Sequence, residues 1–219
     1  MRKINGIQFY QNFVNPRKYD IYDAGRKQLE SKILVGVVKV NSHPPDQQGG
    51  YLIDLGSGTG ICGKTAFLEF NNHFEKCILV DASHKMLDYC KNTICKTDSR
   101  FEVQYANLEQ DIPIPIKNEV ASLVVSNALT IYLSNLDTFI AESARMLKKG
   151  GMLAFDAILH KENHPRSIEI EDDEIFIYQH SLKGINKKLI QNGFTNIFFN
   201  EPNIIFAREG NTNIYAVKQ

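Results

Sequence analysis

Charge of neither sign dominates this chain: 25 lysines and arginines stand against 25 aspartates and glutamates in 219 residues. That balance removes the broad attraction on which non-specific binding to nucleic acid or anionic membranes depends. Nor do the cations cluster among aromatics into a base-stacking platform. Long apolar runs are also missing. The longest, Ile33 to Val38, is broken by Gly36 and falls far short of the roughly 18 residues that span a bilayer. The opening Met1 to Phe13 is polar and has no hydrophobic signal core, so a cytoplasmic protein is expected. The four cysteines, Cys62, Cys77, Cys90 and Cys95, form no CxxC pair. They read as free thiols in a reducing compartment, without a disulfide framework or structural zinc. His160 and His164 stand four apart but lack the glutamate of HExxH, so no metal is expected there.

What is present is enough apolar material for one ordinary globular domain. A chain of this length buries about 70% of its unfolded surface and needs no staple. Short strand-like runs alternate with helical patterns, the signature of a parallel sheet covered by helices. Strands are expected at Tyr51–Leu55, Cys77–Val80, Phe101–Tyr105, Val120–Val125 and Met152–Ala157. Ser83 caps a helix carrying Met86, Leu87, Cys90 and Ile94, and Leu136, Phe139, Ile140, Ala144 and Leu147 form the stripe of another that stops at Gly150. Leu29, Ile33 and Val37 predict a helix after Pro16. Toward the carboxyl end, Ile175–Tyr178 is extended, and Ser181 caps a helix facing inward through Leu182, Ile185 and Leu189. Phe194–Phe199 and Thr212–Val217 then pair as an antiparallel hairpin.

The most informative stretch is Asp54-Leu55-Gly56-Ser57-Gly58-Thr59-Gly60-Ile61-Cys62-Gly63-Lys64-Thr65, between a strand and a helix. It satisfies three patterns at once: the phosphate-binding GxxxxGK[ST], the dinucleotide GxGxxG, and DxGxGxG. Distance from the strand end favours the third. In that register Gly56 makes the turn, Gly58 lets backbone approach a ligand, and Gly60 opens the helix beside it. Asp54 would be an odd residue to bury without a polar partner. Asp81 closes the second strand about 20 residues on, where an acid hydrogen-bonds the ribose hydroxyls of a bound nucleoside.

These residues resemble a class I S-adenosylmethionine-dependent methyltransferase. Tyr51 to Gly60 is similar to the family's first motif, Leu79 to Leu87 to its second, and Lys148 to Leu153 to the stretch leading into its fifth strand. The resemblance implies an α/β, Rossmann-like, doubly wound sheet of seven strands, mostly parallel with an antiparallel last strand and helices on both faces. It also implies S-adenosyl-L-methionine as cofactor and S-adenosyl-L-homocysteine as product. Carried over residue by residue, Gly56, Ser57, Gly58, Thr59 and Gly60 hold the amino-acid end of the cofactor, and Asp54 fixes that loop. Asp81 with Ala82 takes the ribose, and Met86, Asn107 and Leu108 surround the adenine. Ser126 and Asn127 line the rim at the end of the fourth strand. The implied layout is one domain over 1–219: a helical cap or lid over 1–45, a cofactor half over 50–158 and a substrate half over 159–219.

Methyl transfer from a sulfonium needs alignment more than covalent help, with a general base where the acceptor must lose a proton. His180 is the candidate base, and Tyr132 the second candidate catalytic group. Tyr10, Tyr19 and Tyr22 are expected to line the acceptor pocket or form a lid. Glu169 to Glu174 holds five acids in six residues and reads as a solvated loop, or else as a gate for cationic acceptors. With only about twenty residues between the fifth strand and the next helix, a small-molecule acceptor is expected and a protein side chain is the alternative. The partner expectations are no nucleic acid, no membrane, and a monomer or homodimer. The competing readings are a P-loop or dinucleotide-type nucleotide-binding protein, or a non-catalytic Rossmann module.

Overall fold

A computed structural model describes residues 2–41, 49–70, 73–110, 112–161, 163–170, 173–200 and 211–219. The chain runs β1 (Arg2–Ile4), α1 (Gly6–Asn12), α2 (Pro16–Asn41), β2 (Tyr51–Leu55), α3 (Ile61–Glu69), β3 (Lys76–Asp81) and α4 (His84–Cys90), which a π-helical turn extends over Lys91–Cys95. It continues through β4 (Phe101–Tyr105), β5 (Ala121–Ser126), a 3-10 turn (Thr130–Tyr132), α5 (Asp137–Met146), β6 (Leu147–His160), β7 (His164–Ile170), β8 (Asp173–Ser181), α6 (Leu182–Gln191), β9 (Phe194–Asn200) and β10 (Asn211–Lys218).

Seven strands make the main sheet in the order β4, β3, β2, β5, β6, β10, β9. The first five are parallel, and β10 inserts antiparallel between β6 and β9. Because helices cover both faces, central strands are apolar almost throughout instead of alternating with polar residues. All six residues of β5 are buried. Successive residues still point to opposite faces and feed two separate cores. Ile53, Leu55, Val124 and Ile214 join the core under α5 and α6, whereas Leu52, Leu123, Val125 and Tyr215 join the core under α2 and α3. The chain steps outward from β2 to β4 and then returns to β5 beside β2. A crevice therefore opens at the carboxyl ends of β2 and β5, where open α/β sheets bind their ligands.

Three further strands depart from the expected seven. β6 runs beyond the sheet, and its end pairs with β8 through Leu159–His180 and His160–Ser181. β7 and β8 form an antiparallel hairpin, and β1 adds to β8 in parallel, Arg2 opposite Asp173. The run expected as a loop thus supplies strand ends: Glu169 lies in β7, and Asp173 and Glu174 lie in β8, while 171–172 fall outside the described residues. Pairing across the hairpin satisfies the backbone that an isolated loop would leave to water.

Local corrections follow the same logic. α5 ends at Met146, not at Gly150, because buried Leu147 turns extended to pair with Ala121; Gly150 instead supplies a positive φ of 80° within β6. α2 buries Ser31, Leu34, Val35 and Val38, and Leu29 is exposed. Among the described residues no helix is long and apolar enough to cross a membrane. Along α6, Ile185 and Leu189 are buried but Leu182 is 45% exposed. Leu189→Ala is accordingly expected to cost about 2 to 5 kcal/mol in urea unfolding and Leu182→Ala less than about 0.5 kcal/mol; equal losses would contradict the placement of this helix.

Candidate functional site

The loop between β2 and α3 is shaped by two carboxylates and three left-handed glycines. Gly56, Gly58 and Gly60 have φ of 71°, 54° and 81°. The Gly56 and Ser57 amides both donate to the Val80 carbonyl at 2.9 Å, which ties the turn to the end of β3. A Cβ on Gly56 would meet Leu129 at 2.8 Å and one on Gly60 would meet Ile94 at 2.6 Å, whereas one on Gly58 would enter open space. Gly60 caps α3 but has no side chain to accept the helix's free amides. Asp54, from inside the neighbouring strand, does this instead: its Oδ2 accepts from Gly63 N at 2.7 Å. Gly63 must be glycine for that approach, since a Cβ there would lie 2.9 Å from the same oxygen. Asp54 is fully buried and its Oδ1 has no partner, so burial lifts its pKa from 3.8 to about 7 against the lowering effect of the Gly63 amide.

Asp81 fixes the other side of the loop. Its Oδ2 accepts from Gly58 N at 2.7 Å and its Oδ1 from Ser83 N at 2.8 Å. Burial pushes its pKa up while these amide bonds pull it down. A carboxylate offers about four lone-pair sites, so acceptor capacity is left for a ligand's hydroxyls.

These groups border a cavity of about 110 Å³. Its wall includes Gly56, Ser57, Gly58, Thr59, Asp81, Ala82, Asn107, Leu108 and Asn127 among the residues expected from sequence, and also Tyr10, Tyr19 and Tyr132. The Ser57 hydroxyl is buried there without a partner. That orphan hydroxyl, the space in front of Gly58 and the Asp81 carboxylate suit a polar amino-acid end and a ribose. Asn107 closes a turn by accepting from Glu109 N at 2.9 Å. Asp54 and Gly60 lie behind the wall. So does Ser126, whose hydroxyl donates to the Leu55 carbonyl at 2.8 Å. Met86 is fully buried in the fold and does not reach the cavity. Lys64, the residue a P-loop would turn toward phosphate, is exposed on α3 and off the wall.

His180 requires a correction. It is 3% exposed, lies outside the wall, and its Nε2 is 3.0 Å from the Thr130 carbonyl. A carbonyl only accepts, so that nitrogen carries the proton and cannot take one from an acceptor; burial also lowers the pKa. Its work is to hold the 3-10 turn that carries Tyr132. The Thr130 hydroxyl donates to the Asp156 carbonyl at 2.6 Å, and Ala128 N donates to Asp156 Oδ1 at 2.6 Å, which pins the same turn from β6.

The tyrosines do converge. The Tyr10 hydroxyl lies 3.4 Å from those of both Tyr19 and Tyr132, and its ring meets theirs edge-on at centroid distances of 6.0 and 5.6 Å. Tyr22 lies in α2, but its side chain is outside the described residues. Sequence reasoning missed Gly6, on which a Cβ would strike the Tyr132 ring at 2.7 Å, and Lys27, whose ammonium lies 3.8 Å from the Tyr19 ring centre. Neither carries a local motif, because each is defined by a residue distant in the chain. Beyond the tyrosines lies a second cavity of about 370 Å³, and Tyr10, Tyr19, Lys27, Ala128 and Tyr132 border both.

Residues 53–155 match the methyltransferase domain family model. A curated malonyl-[acyl-carrier protein] O-methyltransferase from Geobacter sulfurreducens is 28% identical over 137 residues, 63% of this chain and 47% of that protein. The chain thus spans about half the length of the curated relatives it matches. Among solved structures, an S-adenosylmethionine-dependent methyltransferase from Clostridium acetobutylicum superposes with a TM-score of 0.68 at 14% identity, covering 92% of this chain and 96% of that one. A second, from Aquifex aeolicus, gives 0.61 at 17% identity, covering 94% and 100%.

Two variants separate the glycines. Gly58→Ala is expected to cost about 1 to 2 kcal/mol, for its left-handed backbone alone, and to abolish S-adenosylhomocysteine binding; Gly60→Ala should destabilise more, through Ile94. Unimpaired binding by folded Gly58→Ala would contradict the cradle. Asp54 gives a pH signature. Its raised pKa means its contribution is full below about 4 and is lost as pH rises through about 7. Urea unfolding across this window should therefore show the wild type losing stability relative to Asp54→Asn, and a pH-independent gap would contradict a buried, titrating Asp54.

Proposed function

We propose, from the premise that this chain belongs to the class I S-adenosylmethionine-dependent methyltransferases, that it methylates a small-molecule acceptor. The single observation carrying this reading is the pair of cavities meeting at Tyr10, Tyr19 and Tyr132, one built by the glycine loop and the other walled mainly by aliphatic and aromatic side chains. The second cavity lies within the range of small-molecule pockets, roughly 300 to 1,000 Å³. When bound, S-adenosylmethionine supplies an electrophilic methyl group on a sulfonium. The Gly56–Gly60 backbone and the Ser57 hydroxyl would hold its amino-acid end, Asp81 its ribose, and Asn107 with Leu108 would flank its base.

The remaining work falls to this chain's own residues. The tyrosine cluster orients the acceptor and keeps water from the junction, and alignment of this kind supplies about 7 to 11 kcal/mol in favourable cases. His180 and Asp156 act as positioning residues, because both hold the turn that presents Tyr132. In this reading 1–45 is the cap, 50–158 the cofactor half and 159–219 the substrate side, with the acceptor cavity drawing on the first two as well, through Tyr10, Tyr19, Tyr132 and Asp156. The four free thiols suit a cytoplasmic protein.

The discriminating pair is Asp81 and Lys64. Asp81→Asn is expected to weaken S-adenosylhomocysteine binding by about 1.5 to 3 kcal/mol in calorimetric titration, whereas Lys64→Ala leaves it unchanged. Loss on Lys64→Ala with none on Asp81→Asn would reverse the reading in favour of a P-loop.

A further inference from the structure

The second cavity sets two buried acceptors side by side on its wall. On its wall, Asp156 is 5% exposed and makes no ion pair with any described cation. Its Oδ1 accepts from Ala128 N, and the Asn211 side-chain amide bonds to the carboxylate. That bond fixes the orientation of the Asn211 amide, since only its nitrogen can donate to a carboxylate. The Asn211 Oδ1 is consequently left buried and without a partner beside the cavity. The cations on this wall are already engaged: Arg26 bonds Glu30 at 2.9 Å and Lys27 sits over the Tyr19 ring. Beside these lie Ile131, Ile158, Ile175 and Ile177, and the Tyr10, Tyr19 and Tyr132 hydroxyls, grouped with one another at 3.4 Å, stand at the junction with the first cavity.

A ligand completing this wall must donate hydrogen bonds, tolerate or carry positive charge, and bring a hydrocarbon body. A carboxylate would set its oxygens against the Asn211 oxygen and the Asp156 charge. Building on the methyltransferase reading, we propose that the acceptor cavity recognises an aliphatic amine, its N–H groups donating to Asn211 Oδ1 and its ammonium form drawn to Asp156. Ala128, which bonds Asp156, belongs to both cavities, so the amine end is held at the side facing the cofactor cavity.

The test is calorimetric titration of the full chain with n-hexylamine and with hexanoate, in the presence of saturating S-adenosylhomocysteine. Hexylamine is expected to bind saturably and at least tenfold more tightly than hexanoate. Asp156→Asn keeps an oxygen for Ala128 N but removes the charge, and Asn211→Ala removes the orphan oxygen; each should weaken hexylamine at least tenfold, and Asn211→Ala should leave S-adenosylhomocysteine affinity unchanged. Thermal melting establishes that each variant is folded, and Asn211→Ala suffices if Asp156→Asn is not. Equal or tighter binding of hexanoate, no binding of hexylamine, or wild-type hexylamine affinity in a folded variant overturns the proposal. Failure of S-adenosylhomocysteine to bind would instead overturn the methyltransferase reading, and the same amine titration without it still decides this one.

Discussion

The bond from the Gly63 amide to Asp54 is the constraint on which the site depends. A glycine-rich turn gives freedom to the backbone and takes away the side chain that normally caps the following helix. The fold restores the cap from the strand, by burying a carboxylate where the helix's positive end meets it. The arrangement is costly, since one oxygen has no partner and burial resists the charge. It leaves the amides of Gly56 to Gly60 free to be arranged by β3 and Asp81, and so turns a flexible sequence into a rigid cradle at the sheet's switch point.

A second layer of constraint comes from pieces far apart in the chain. β1 and the β7–β8 hairpin extend the sheet beyond β6, while α1 and α2 bring Tyr10, Tyr19 and Lys27 over the glycine loop. Tyr132 reaches the same point on a turn held by Thr130, Asp156 and His180. The second cavity is therefore assembled by long-range contacts, whereas the glycine loop itself is held by one strand-turn-helix unit and its neighbour.

That division explains what was legible in sequence. Tyr51–Leu55 was readable to the residue because a buried parallel strand is a largely apolar run bounded by turn residues, and Phe101–Tyr105 because an edge strand alternates apolar and polar residues. Asp54, Gly58 and Asp81 stood out because spacing along one chain segment encodes their geometry. His180 misled for the complementary reason: a histidine beside a helix cap says nothing of the carbonyl, fifty positions earlier, that claims its nitrogen. Leu29 and Leu182 fit helical stripes, yet which side of a helix is covered depends on the neighbour it packs against. Asp156 fell unremarked within the expected strand Met152–Ala157, because no local pattern connects it to Ala128 and Asn211.

The central claim is that two carboxylates hold this loop for a methyl donor and not for a phosphate chain. Calorimetric titration of the wild-type protein with S-adenosylhomocysteine, NAD and magnesium-ATP in parallel tests it most directly. The account predicts saturable one-to-one binding of S-adenosylhomocysteine and no binding heat from the other two. Binding of NAD or magnesium-ATP by folded protein that ignores S-adenosylhomocysteine would contradict it.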